Sequence, residues 1–117
     1  MEKVLNIDGH EVKLKASGAT PRLYRKMFRS DVFADMQKLT TNIQKGDLSG
    51  ESLECLENIA YVMAYQADPD IPGLDEWLDQ FGMFSIYQHL PDILGLWNLN
   101  EEQIESAKKK VGGQSGN

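Results

Sequence analysis

The stretch SGESLECLENIAYVMAYQA, residues 49–67, carries apolar side chains at helical spacing on two sides. One stripe contains Leu53, Leu56, Ala60, Met63 and Ala67, and the second contains Cys55, Ile59 and Val62. Either Ser49 or Ser52 can cap the first turn of such a helix. Because a helix that is apolar on two sides needs neighbours on both, we predict that it lies at the centre of the fold.

Upstream of this helix, Asp8-Gly9 separates two short β-prone runs. Asp-Gly between such runs is a strong signal for a tight two-residue turn, so we predict strands at about residues 2–7 and 10–15. Two strands alone are only marginally stable in water. The hairpin must therefore pack on an apolar surface that the helices supply.

Two further helices are predicted between the hairpin and the central helix. Thr20-Pro21 predicts the start of the first, with Thr20 as its cap, since proline is well tolerated at the first helical position. Ser30 or Asp31 can cap the second, at about residues 31–45, and Gly46 fits its end. The apolar positions of these helices are Leu23, Tyr24, Met27, Phe28, Val32, Met36, Leu39 and Ile43.

Shorter helices are predicted after the central one. Two prolines within residues 68–73 end it, and a short fourth helix then follows and stops at Gly82. The apolar positions of the fourth helix are Leu74, Trp77, Leu78 and Phe81. Helical spacing continues over residues 85–97, where Pro91 either kinks one helix or opens a second. A last helix is predicted over about residues 100–110.

Together these elements predict a mainly α protein, with an N-terminal β-hairpin followed by five to seven short helices in one compact domain, residues 1–110. A chain of 117 residues has the usual length of a single domain with one core. Residues 111–117 are expected to form a flexible tail.

Charge is divided unevenly along the chain, whose net charge is −6. Residues 1–50 contain nine Lys/Arg and six Asp/Glu, whereas residues 46–107 contain no Lys or Arg and thirteen Asp/Glu. This acidic half should repel nucleic acid. No apolar run approaches the roughly 20 residues that span a bilayer, and the N-terminus lacks the features of a secretory signal. We therefore expect no membrane partner. Because the single cysteine excludes an internal disulfide, we also expect the chain to work in a reducing cytoplasm.

No set of residues meets the requirements of a catalytic or metal site. His10 and His89 lack a nucleophile at a recognisable spacing, and Cys55 lies on an apolar stripe where a packed side chain is expected. Residues 68–79 match several positions of a calcium loop, but Pro72 stands where an oxygen donor is needed, and the last position has aspartate in place of the longer glutamate. The sequence therefore predicts no enzyme, no metal and no cofactor.

Four rings carry much of the aromatic area of the acidic half, namely Trp77, Phe81, Phe84 and Trp97. At helical spacing such rings belong more often to a core than to a binding groove. A ring that stays exposed among carboxylates would suit a basic amphipathic helix of a partner protein. The acidic residues that we select as neighbours of these rings are Asp75, Glu76 and Asp79.

The first predicted helix has a basic face formed by Arg22, Arg25, Lys26 and Arg29. A solvated surface is the simplest interpretation of this face, and an ion-pair surface for an acidic partner is the next. One acidic partner is the other half of the same chain. We hypothesise that the basic face of one copy docks on the acidic half of another, in a homo-oligomer whose assembly is sensitive to salt.

Several segments, taken together, resemble one known family. They are ATPRLYR at residues 19–25 with Phe28 and Asp31 after it, IAYVMA at 59–64, LDEWLDQF at 74–81, LPDIL at 90–94 and LW at 96–97. These segments resemble the tail assembly chaperones of long-tailed phages with non-contractile tails, over about residues 5–110. The chain departs from that family at Arg29, where glycine is frequent.

The resemblance implies a function in virion morphogenesis. Chaperones of this family bind the long helical tape measure protein, keep it soluble, help recruit the major tail protein that builds the tail tube, and are absent from the finished virion. It also implies action in the host cytoplasm and, in many members, a longer form made by ribosomal frameshifting, for which the Lys108-Lys109-Lys110 codons could be slippery. Two alternatives are a structural tail or head–tail component that stays in the virion, and a small phage regulator that uses the basic helix on nucleic acid.

Overall fold

The computed structural model describes residues 2–47, 50–93 and 95–96. Strands β1 (Glu2–Ile7) and β2 (His10–Lys15) form an antiparallel pair with Leu5 opposite Val12. Asp8 has φ 54° and Gly9 has φ 81°, which are the positive values that a tight type I′ turn requires at both central positions. The predicted hairpin and its bounds are confirmed.

One face of the hairpin is buried against the helices. Leu5, Ile7, Val12 and Leu14 point to the core with at most 6% of their surface exposed. Val4, on the opposite face, is 56% exposed. The alternation follows from the period of two along a strand, and it supplies the apolar face that a two-stranded sheet needs for stability.

Helix α1 (Thr20–Phe28) begins where the sequence predicts, but the predicted role of Thr20 as its cap is wrong. Ala19 occupies the cap position, and Thr20 is completely buried. The Thr20 hydroxyl instead accepts a hydrogen bond from the Ser17 N–H at 2.8 Å and donates one to Gln66 Oε1 at 2.5 Å. This side chain thus joins the start of α1 to the distant Gln66.

Helix α2 (Val32–Gln44) confirms the second prediction, and of its two candidate caps Asp31 is the one used. The Asp31 side chain accepts a hydrogen bond from the Phe33 N–H at 2.9 Å. Gly46, just past the end of the helix, has φ 74° as expected for a helix stop. The helix is tied to α1 because the buried Tyr24 hydroxyl donates to Asp35 at 2.8 Å.

Helix α3 (Gly50–Ala67) is central, as predicted. It contacts β2, α1 and α2, and also two short helices, α4 (Leu74–Asp79) and α5 (Ser85–Gln88). Ile59 and Val62 on one stripe, and Met63 on the other, are fully buried. Ser52 lies inside the helix, where it accepts a hydrogen bond from Asn42 at 2.8 Å, so its predicted role as a cap is wrong. Ser49 lies outside the described residues.

In the segment after α3, Pro91 opens a second helix and does not kink a single one. Helix α4 ends at Asp79, earlier than the predicted stop at Gly82. Helix α5 ends at Gln88, and new helical residues follow at 90–93 and 95–96, so Pro91 lies in the first turn of a second helix. The last helix predicted over residues 100–110 and the tail at 111–117 lie outside the described residues.

The described residues form a mainly α fold in which the hairpin and the helices share one cluster of buried side chains. The predicted fold class is therefore confirmed. Among the residues described, no helix has both the length and the apolar character needed to cross a membrane.

Candidate partner-binding surface

The acidic helix α4 presents its carboxylates to solvent, whereas Trp77 of the helix and Phe81, just after it, face the core. Asp75 and Glu76 are exposed in its first turn, where they complement the helix dipole, and Asp79 is exposed at its end. Trp77 is only 3% exposed and Phe81 is 9% exposed. We selected both rings from the sequence as partner-binding residues, but their burial leaves a partner little of either ring to touch.

Trp77 and Phe81 belong to a cluster of rings between α3, α4 and the hairpin. Trp77 lies edge-on to Tyr61 at a centroid distance of 5.5 Å and to Phe81 at 5.1 Å. His10 of β2 closes the cluster with an edge contact to Phe81 at 5.6 Å. These perpendicular arrangements are favourable for aromatic pairs, so the two rings serve to attach α4 to the body of the protein.

Within the described residues of the acidic half, the large apolar side chains that are exposed are Met83 and Phe84, with exposed fractions of 83% and 65%. The pair, named here the Met83–Phe84 surface, lies between α4 and α5. The Phe84 ring lies 6.4 Å from the ring of Tyr87, whose hydroxyl donates to Glu57 at 2.5 Å. Burial, followed by this hydrogen bond, raises the pKa of Tyr87 to about 12. Tyr87 therefore lies between the exposed Phe84 ring and the Glu57 carboxylate.

The segment that carries this surface is held against the hairpin turn. The Gly82 N–H donates to Asp8 Oδ2 at 2.6 Å, and hydrogen bonds from Ser85 and then from Gly82 lower the pKa of Asp8. A β-carbon at Gly82 would lie 2.9 Å from Ser85 Oγ and 3.2 Å from Asp8 Oδ2, so a larger residue here would displace one or both of these side chains. The hairpin thus fixes the backbone on which Met83 and Phe84 are presented.

Sequence reasoning selected Phe84 but missed Met83. The available signal was the position of Met83 directly after Gly82, off the apolar stripe of α4. Trp97, the fourth selected ring, lies outside the described residues.

The basic face of α1 is solvent-exposed, as the sequence predicts. It is formed by Arg22, Arg25, Lys26 and Arg29. None of these side chains makes an ion pair within the described part of the chain. Arg29 adopts a left-handed conformation with φ 52°, and its N–H closes the helix on the carbonyl of Arg25. Glycine takes this conformation at the lowest cost, and this is the position at which the resembling phage family often has glycine.

The two histidines have structural neighbours. His10 packs on Phe81, and His89 Nδ1 lies 3.5 Å from Asp92 Oδ2. Lys3 Nζ binds the other oxygen of Asp92 at 3.0 Å, and this hydrogen bond is the main cause that lowers the pKa of Asp92. The contact joins β1 to the helical turn at residues 90–93.

The surroundings of Cys55 and of the aspartate-rich loop at residues 68–73 are those of structural side chains. Cys55 is half-buried, and burial followed by the charge of Asp35 raises the pKa of its thiol, which disfavours the nucleophilic thiolate. In the loop, the Asp68 side chain accepts a hydrogen bond from the Asp70 N–H at 3.1 Å, as in a local turn. In the part of the chain that is described, no group of three His, Cys, Asp or Glu residues could hold a metal ion.

Comparison of the chain with protein-family models gives no match, and neither curated proteins nor solved structures match it. The resemblance to phage tail chaperones therefore stays a prediction.

Proposed function

We propose that this chain is a phage tail assembly chaperone that binds the tape measure protein, keeps it soluble in the host cytoplasm and helps recruit the major tail protein. The observation that carries the proposal is the Met83–Phe84 surface, which exposes apolar side chains in a half of the chain without any Lys or Arg. Sequence resemblance supplies the identity of the partner. The finished virion is expected to lack the chain.

The chemistry of this surface defines the partner that fits it. Met83 and Phe84 offer apolar contact area, and methionine adapts to irregular partners because it is unbranched and flexible. The exposed carboxylates of Asp75, Glu76 and Asp79 precede this pair on the same segment. A helix with an apolar stripe and flanking Lys or Arg side chains would satisfy both features at once. A long helical protein that aggregates through its exposed stripes is such a partner.

We expect the Phe84→Ser variant to weaken binding of the cognate tape measure protein by roughly tenfold or more, as for a central aromatic contact. Co-expression followed by co-purification and a solubility assay measures this. Phe33→Ser is the matched control, because Phe33 is also an exposed phenylalanine, at 42%, but lies at the start of α2. Equal binding by both variants, or insoluble tape measure protein in the presence of the wild-type chain, would contradict the proposal.

The presence or absence of the chain in the finished virion distinguishes a chaperone from a structural component. A chaperone leaves the particle, whereas a tail or head–tail component stays in it. Mass spectrometry of purified virions tests this directly, and detection of the chain in amounts comparable to known tail proteins would favour the structural alternative.

We also propose that the chain self-associates through the basic face of α1 and the acidic half of a second copy. Arg25→Glu is expected to weaken this association by roughly tenfold at low salt, because it removes one attraction and adds a repulsion. Lys45→Glu makes the same change in net charge at an exposed position on α2's end and should have little effect. Light scattering at low and high salt measures both, and a wild-type chain that is monomeric at micromolar concentration in low salt would refute this proposal.

A further inference from the structure

Within the described part of the chain, the outer edge of β2 has backbone groups without a partner. Among the described residues β2 pairs with β1 alone. Ile7 and His10 flank the two-residue turn and exchange the first hydrogen bonds, so Val12 and Leu14 are the next bonded positions on β2. The N–H and C=O groups of Glu11 and Lys13 therefore face away from β1, and no other backbone hydrogen bond in the described residues reaches them.

A cleft of about 230 Å³ lies along this edge. Glu11 and Lys13 line it on the strand side, and Ile71, Pro72, Trp77 and Phe81 line it on the opposite side. The loop after α3 and helix α4 thus face the free strand edge across the cleft. The volume is below the roughly 300 Å³ at which small-molecule pockets begin, so it suits one or two side chains of a peptide better than a cofactor.

The charges around the cleft indicate what kind of chain would enter it. Two carboxylates line the cleft, those of Glu11 and Asp68, and Lys13 is the only Lys or Arg in its lining. Three more acidic residues are exposed on the adjoining loop and helix, namely Asp70, Asp75 and Glu76. An acidic setting favours a basic occupant. In an added strand, alternate side chains would point into the cleft and out to solvent.

We propose that the free edge of β2 is a strand-addition site for an extended basic segment of a partner protein, whose alternate apolar side chains enter the cleft. The inference does not depend on the proposed chaperone function, since it uses neither the Met83–Phe84 surface nor the basic face of α1. It also gives the unpaired edge a role, because exposed edges are otherwise a risk for aggregation.

The test uses fluorescence anisotropy with the full chain and a labelled peptide of alternating lysine and valine. We expect saturable binding of this peptide and none of its glutamate–valine counterpart. Methylation of the peptide amides that face β2 should abolish binding, whereas methylation of the alternate set should leave it nearly unchanged. In wild-type protein, the amides of Glu11 and Lys13 should exchange with solvent roughly tenfold more slowly when the peptide is bound.

Proline variants test the edge itself. Lys13→Pro removes an N–H that is not used within the hairpin and should weaken peptide binding at least roughly tenfold. Val4→Pro is the matched control, because Val4 lies opposite Lys13 and its N–H faces the other edge of the hairpin. Lys13→Thr separates the loss of charge from the loss of the N–H and should keep most of the binding.

Three outcomes would overturn the proposal. The first is an absence of saturable binding up to about 1 mM peptide. The second is equal binding of the two methylated peptides by wild-type protein, a result that does not depend on whether either proline variant folds. The third is a change in the oligomeric state of the peptide-free chain on Lys13→Pro substitution, because it would make a second copy of the chain the occupant of the edge.

Discussion

The Trp77→Ala variant is expected to lose about 3–5 kcal/mol of unfolding free energy, the usual cost of removing a large buried aromatic side chain. Trp77 is 3% exposed and contacts the rings of Tyr61 and Phe81 in edge-on arrangements. Its removal leaves a cavity at the point where α4 is attached to α3. Since small domains have about 5–15 kcal/mol of stability, a large share of it would be lost. Urea denaturation followed by circular dichroism measures the change.

Phe84→Ala is the matched control for this experiment. Phe84 follows Trp77 by seven positions but is 65% exposed, so its removal should change the unfolding free energy by less than about 0.5 kcal/mol. The Trp77→Phe variant should recover part of the loss, because a smaller ring still fills part of the space. Similar stability of the Trp77→Ala and Phe84→Ala variants would show that Trp77 is not part of the core, and it would return Trp77 to the set of partner-binding residues.

The Thr20→Val variant is expected to lose about 2–3 kcal/mol of unfolding free energy, although valine has nearly the same shape. The fully buried Thr20 hydroxyl accepts from the Ser17 N–H and donates to Gln66 Oε1. Gln66 in turn donates to the Ser17 hydroxyl at 2.6 Å, so the three residues form a closed set of hydrogen bonds that includes the Ser17 backbone N–H. Valine leaves two polar groups of this set without their partner, and each costs free energy when it is shielded from water.

Two variants test whether the hydroxyl group is responsible. Thr20→Ser keeps the hydroxyl and loses only a methyl group, so it should cost about 1 kcal/mol or less. Thr41→Val makes the same chemical change as Thr20→Val, but at an exposed position on α2, and should be nearly neutral. If Thr20→Val proved as stable as wild type by urea denaturation, the hydrogen bonds to Ser17 and Gln66 would contribute little.

The attachment of α4 to the core bears on function because it positions the segment that follows the helix. Trp77 attaches α4 to the core, and the Asp8 side chain binds the Gly82 N–H at 2.6 Å. Met83 and Phe84 therefore follow a segment that is attached at two points, through the ring cluster and through the hairpin turn. A fixed surface loses less conformational entropy when a partner binds than a free loop would.

Local sequence signals predicted the hairpin and most helix bounds because they depend on neighbouring residues. Asp8-Gly9 permits positive φ at both turn positions, and this conformation is set within the turn itself. The cap at Asp31 and the stop at Gly46 are likewise local. The same reasoning was wrong at Thr20 and Ser52, whose hydroxyls bind Gln66 and Asn42 on other segments of the chain. A capping residue and a buried tertiary contact use the same side-chain oxygen, and sequence spacing does not distinguish them.

The aromatic rings of the acidic segment also show that local signals and tertiary contacts determine different properties. Three aromatic residues lie within eight positions, namely Trp77, Phe81 and Phe84. The sequence indicated only that they share an acidic segment. Burial of the first two depends on Tyr61 and on His10, which come from distant parts of the chain. Phe84 is exposed, and it follows Gly82, whose N–H donates a hydrogen bond to Asp8, a residue 74 positions away.

By itself, the sequence determined the mainly α fold with its N-terminal hairpin, the central position of α3 and the separation of charge along the chain. These properties follow from local turn chemistry, from the periodicity of apolar residues and from composition. Only the tertiary structure decided which rings are core and which are surface, and which strand edge has no partner among the described residues and lies beside a cleft. The physical reason is that burial and edge pairing are set by contacts between segments far apart in the chain, and periodicity identifies an apolar face without identifying what covers it.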